Sequence, residues 1–72
     1  MTVTLKSFGK AVRSRREQRG WSQEEFAHRC GLHRTYMGGV ERGERNISFL
    51  NMVQIAKALG ISLSELVGSG EK

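Results

Sequence analysis

The stretch that decides the fold is Gly20-Trp21-Ser22-Gln23-Glu24-Glu25-Phe26-Ala27-His28-Arg29-Cys30-Gly31-Leu32-His33-Arg34-Thr35-Tyr36-Met37-Gly38-Gly39-Val40-Glu41-Arg42-Gly43. Ser22 stands three residues before Glu25, the spacing of a capping box. Trp21 before it and Phe26 after it occupy the positions of a hydrophobic staple. The helix started there runs to Cys30 and stops at Gly31, where a left-handed cap fits. His33 precedes a second run, Arg34 to Arg42, closed by Gly43. The pattern is two short helices joined by a tight turn, the second opening on Arg34 and Thr35. A short helix with a bidentate donor in its first turn suits the major groove of DNA.

Outward from this core the same signals recur. Leu5, Phe8 and Val12 share one helical face with Ala11 beside them, and Gly20 ends that run. Ser48 caps a fourth helix whose apolar content is Leu50, Met52, Val53, Ile55, Ala56 and Leu59; Gly60 ends it. Ser62-Leu63-Ser64-Glu65 is a second capping box, with Ile61 and Leu66 as its staple. The expected helices are at about 5–19, 23–30, 34–42, 49–59 and 63–67, in one all-α domain over the whole chain. The tail from Gly68 is expected to fray. The glycines read as helix caps, apart from Gly38 and Gly39, each of which costs roughly 1 kcal/mol inside a helix relative to alanine.

Seventy-two residues with no proline and one cysteine allow one domain, a thin core and no internal disulfide. A reducing cytoplasm fits that cysteine count. Met1 to Phe8 lacks the apolar run of a signal peptide, and no apolar stretch is long enough to span a bilayer. The net charge of +5 is unevenly placed. Residues 1–45 hold ten Lys and Arg against five Glu, whereas residues 46–72 balance to zero. A basic first two thirds points to a polyanion as partner.

Catalysis has little to stand on. The chain contains no Asp, no Gly-rich phosphate loop after a strand, and no nucleophile-base-acid set. So small a core leaves no room for a small-molecule pocket. His28, Cys30 and His33 could supply three ligands where structural zinc takes four. Cys30 falls on the apolar face with Phe26 and Ala27, so a core thiol is the better reading; His28 reads as surface and His33 as the cap of the third helix. Neither metal nor cofactor is expected.

The set Ser22-Gln23-Glu24-Glu25 with Ala27, Gly31, Val40-Glu41-Arg42-Gly43, Ile55-Ala56-Lys57-Ala58-Leu59-Gly60 and Ser62-Leu63-Ser64-Glu65-Leu66 resembles the Cro/C1-type, XRE-like helix-turn-helix family of phage repressors and Cro proteins. The likeness spans about Phe8 to Val67. It implies a lambda-repressor-like five-helix fold. By this resemblance Gln23 holds a backbone phosphate, and Arg34 and Thr35 contact bases. Gly39 falls on a later base-reading position but has no side chain, which concentrates readout in the first turn of the third helix. Arg16 and Glu41 match a structural ion pair between the first and third helices. Arg42, Arg45 and Asn46 lie in the loop that follows the sugar-phosphate backbone. The His33-Arg34-Thr35-Tyr36 run on a chain without a second domain resembles the stand-alone restriction-modification controllers.

Taken residue by residue, Arg34 is the expected reader of guanine, through two parallel hydrogen bonds. Thr35 could offer a methyl to thymine or remain solvated. Tyr36 could donate to a phosphate or lay its ring on the seam of helices two and three. Arg13, Arg15 and Arg19 read as a solvated face. The expected function is sequence-specific regulation of transcription on double-stranded DNA by a homodimer on a pseudo-palindromic operator. Phe49, Leu63 and Val67 are the candidate dimer surface, with burial in the core as the competing reading. A protein-interaction module of antitoxin type is the alternative.

Overall fold

The computed structural model describes residues 3–70. They form α1 (Leu5–Gln18), α2 (Gln23–Cys30), α3 (Arg34–Glu41), α4 (Phe49–Leu59) and α5 (Leu63–Ser69), with no strand among the described residues. The serine caps form as their spacing predicts. Ser22, Ser48 and Ser62 each accept the backbone N–H three residues on, at 3.0, 3.2 and 3.0 Å. A complete reciprocal box sits where the sequence pattern gave no warning, at Thr4 and Ser7, with serine replacing the usual Glu or Gln.

Three helix ends differ from expectation. α1 stops at Gln18 and α3 at Glu41, because Arg19 and Arg42 hold ψ near zero as cap residues before the left-handed Gly20 and Gly43. α5 continues to Ser69 instead of ending at 67. Ser69 Oγ donates to the Glu65 carbonyl and accepts from Arg15, and Gly70 is buried against Phe8.

Phe26, Met37, Ile55 and Leu66 lie fully buried at the centre of the core, ringed by Phe8, Val12, Val40 and Leu59. Cys30 is buried with them, and desolvation pushes its thiol up to about 12. The staple closes one end: Trp21 stacks on Phe26 at 5.7 Å, and the Arg29 guanidinium sits 4.3 Å from the Trp21 ring centre. Leu5 and Leu50, assigned by pattern to apolar faces, are 40% and 72% exposed. Each lies in the first turn of its helix, beyond the reach of the core.

Not every glycine is a cap. Gly9 lies inside α1, where a Cβ would stand 2.6 Å from the Glu41 carbonyl oxygen and also strike that of Val40. Its missing side chain lets α1 cross against the last turn of α3. Arg15 and Arg19 are not simply a solvated face either. Arg15 Nη2 donates to Ser69 Oγ at 2.7 Å, and Arg19 Nη2 to the Leu59 carbonyl at 2.6 Å. Arg19 therefore satisfies an orphan carbonyl at the end of α4. Among the described residues no single helix is long and apolar enough to cross a membrane.

Candidate nucleic-acid interface

α3 presents its first turn to solvent. His33 is the N-cap, its Nδ1 accepting the Thr35 N–H at 3.1 Å. Arg34 and Thr35 are both exposed, and the first turn of α3 contains no acid to neutralise Arg34. The helix N-terminus gives a cation no local stabilisation. What the position does give is reach: an exposed guanidinium whose five donors meet no acceptor among the described residues.

The remainder of α3 is held rigidly. Arg16 Nε donates to Glu41 Oε2 at 2.8 Å and Arg16 Nη2 to Glu41 Oε1 at 3.0 Å, a two-pronged pair with side chains 11% and 3% exposed. Arg16 Nη1 also donates to the Trp21 carbonyl at 2.9 Å. The Glu41 hydrogen bond, opposed by burial, holds the Arg16 pKa above its ordinary value. Gln23 Nε2 completes the network by donating to Glu41 Oε1 at 3.0 Å. Gln23 therefore has a structural role that the resemblance did not imply, and one amide hydrogen left for an anion. Arg13, Arg16, Gln23, Glu41 and Arg42 line a shallow polar groove beside it.

The loop after α3 folds back onto the helix. Gly43, at φ +73°, lies against the Lys6 backbone, where a Cβ would come within 2.7 Å of Lys6 Cα. That contact ties the loop to the start of α1. Arg45 lies across Gly39: a Cβ there would stand 2.6 Å from Arg45 Cγ. Its guanidinium is 5.5 Å from the Tyr36 ring centre. Tyr36 is half-buried, and its hydroxyl accepts from Asn51 Nδ2 at 3.1 Å. Arg42 pairs with Glu44 at 3.0 Å, an exposed pair of small energetic weight that a phosphate can displace. Asn46 is exposed. The sequence reading missed Asn51 altogether, because no motif marks a contact between α4 and α3.

Arg34, Thr35, Tyr36 and Arg45 are thus brought together on α3 and its following loop, with Gln23 and Arg42 at the adjoining groove. Phe49 lies apart, 63% exposed beside Leu50 at the start of α4. Leu63 and Val67 are only partly buried, packed against the outside of the core. Cys30 and His33 from the candidate metal set are taken up by the core and by the cap of α3.

The helix-turn-helix family profile matches residues 12–66. The chain is 40% identical over 70 residues to control protein C.MunI of Mycoplasma sp, covering 97% of this chain and 95% of that protein. It superposes with a TM-score of 0.84 on the restriction-modification controller protein C.AhdI from Aeromonas hydrophila, at 48% identity over 86% of this chain and 94% of that one. The biofilm regulator SinR, solved in complex with DNA, matches with a TM-score of 0.77 at 25% identity, over 82% of this chain and 95% of that one.

Proposed function

The chain belongs to the helix-turn-helix family, and we propose on that footing that it is a cytoplasmic transcription regulator of the restriction-modification controller type. It reads double-stranded DNA as a homodimer on a pseudo-palindromic operator. The observation that carries this reading is the exposed Arg34 at the start of a helix whose far end is locked by Arg16, Glu41 and Gln23. Arg34 and Thr35 read base edges. Tyr36, Gln23, Arg42, Arg45 and Asn46 hold the backbone. One recognition helix reads only a few base pairs, so two copies give the specificity, with half-site centres about 34–36 Å apart or a multiple of that. The exposed pair Phe49 and Leu50 supplies apolar area for the dimer surface, together with the partly buried Leu63 and Val67.

Selection of bound duplexes from a random pool gives the operator and its symmetry. On that operator, Arg34→Ala weakens binding by roughly 1–3 kcal/mol per half-site and relaxes discrimination at one G·C pair. Arg45→Ala weakens operator and scrambled duplex alike, and makes the salt slope shallower by roughly 0.9 per lost contact. The wild-type slope of log K against log salt should lie on the order of −4 to −8. A slope near zero sinks the reading. The same exposed Phe49 and Leu50 favour the second one, an interaction module whose partner is another protein, and pull-down from cells then becomes the informative assay.

A further inference from the structure

Tyr36, Arg45 and Asn51 come from three different elements and meet at one point. Asn51 is the third residue of α4, anchored by its backbone N–H on the Ser48 cap. Its side-chain Nδ2 donates to the Tyr36 hydroxyl oxygen across 3.1 Å. A phenol has one hydrogen to donate and lone pairs to accept with. With the inward side of its oxygen occupied by a donor, the phenol hydrogen is turned away from α4. Among the described residues it meets no acceptor, and neither does the Arg45 guanidinium held over the same ring by the Gly39 notch. On the side away from α4 the cluster therefore offers two donors, the phenol hydrogen and the Arg45 guanidinium. An anionic oxygen is the ligand for such a face, and a DNA phosphate is the anion that lies along the flank of a recognition helix.

We propose that Asn51 is a positioning residue for DNA binding: it never meets the DNA, but orients the Tyr36 hydroxyl as an outward donor to a backbone phosphate next to Arg45. The inference rests on the DNA-binding reading above. The hydrogen bond has a direction, and that direction is what makes the idea testable. In Asn51→Asp the shape is kept but the donor becomes an acceptor. The phenol hydrogen then turns inward to the carboxylate and is lost to the phosphate. In Asn51→Ala the phenol is merely released to rotate.

The experiment is a mutant cycle of Asn51→Asp and Asn51→Ala, each with and without Tyr36→Phe. Operator affinity and its salt dependence are read on the selected duplex, and thermal melting on the free protein. Tyr36→Phe should weaken binding about ten-fold per half-site, with the salt slope unchanged because a neutral donor displaces no counterion. Asn51→Ala should weaken it about three-fold, an effect that vanishes in the Tyr36→Phe background. Asn51→Asp should weaken it by more than Asn51→Ala. The part that survives Tyr36→Phe is charge repulsion, and the remainder should match the loss in Tyr36→Phe alone.

If Asn51→Asp binds as well as wild type, or loses as much with phenylalanine at 36 as with tyrosine, the proposal is overturned. Non-additive melting of Asn51→Ala with Tyr36→Phe, alongside additive affinities, shows a purely structural hydrogen bond and also overturns it. Failure of the wild type to bind any duplex, with the melting cycle intact, overturns the DNA-binding reading and this inference with it.

Discussion

Replacing Arg16 with methionine leaves Glu41 buried without its counter-charge, and the structure sets the size of the effect. Glu41 has a side chain only 3% exposed, and it faces Arg16 through both oxygens. After the change it keeps a single hydrogen bond, from Gln23. Stranding a buried charge in this way costs about 3–5 kcal/mol. A domain of this length holds about 4–11 kcal/mol in all, so the variant should lose a large share of its stability. The reverse change, Glu41→Leu, should cost less, about 2–3 kcal/mol, because Arg16 is the more exposed partner and keeps the Trp21 carbonyl. The double variant Arg16→Met, Glu41→Leu removes both charges and should be more stable than Arg16→Met alone. Urea unfolding followed by circular dichroism and by emission from the single tryptophan measures all three. Strict additivity of the two losses, or an Arg16→Met protein within about 0.5 kcal/mol of wild type, would refute the reasoning.

Gly9→Ala should destabilise by about 1–3 kcal/mol despite alanine's better helix propensity, because the Cβ strikes backbone carbonyls of α3. Gly68→Ala, which meets nothing within 4 Å, should instead stabilise by about 0.5–1 kcal/mol, and paired melting curves check both. For the proposed homodimer, Phe49→Lys with Leu50→Glu should leave the helical signal intact and give monomers in sedimentation where wild type gives dimers; a retained dimer would place the interface elsewhere. Burial holds the Cys30 thiol protonated up to about 12, against 9.0 for an ordinary thiol. The folded protein therefore keeps a proton that the unfolded chain releases above about pH 9, so this contribution to stability is full below that pH and declines above it. The urea midpoint of wild type should fall more between about pH 8 and about pH 10.5 than that of Cys30→Ala.

The sequence by itself determined whatever is local. Ser22, Ser48 and Ser62 mark helix starts because a hydroxyl can satisfy an orphan amide three residues on, and that geometry needs no knowledge of the rest of the chain. Gly31 and Gly60 mark helix ends for the same kind of reason, by adopting the left-handed conformation. The Trp21–Phe26 staple, the His33 cap and the exposed Arg34 with Thr35 were equally legible. Arg16 and Glu41 were legible through resemblance, since nothing in their spacing of twenty-five residues announces a contact. Tertiary structure alone decided the rest. Gly9 looks like a weak helix residue until the crossing of α1 on α3 shows why no Cβ can be there. Arg19 looks like surface charge until the end of α4 arrives with an unpaired carbonyl. Leu50 looks like core until the tilt of α4 carries its first turn into solvent. Asn51 has no signal at all, because the Tyr36 hydroxyl it holds lies fifteen residues away on another helix. Caps and periodicity are properties of neighbours along the chain, whereas a close approach or a cross-helix hydrogen bond exists only once packing has fixed which surfaces meet.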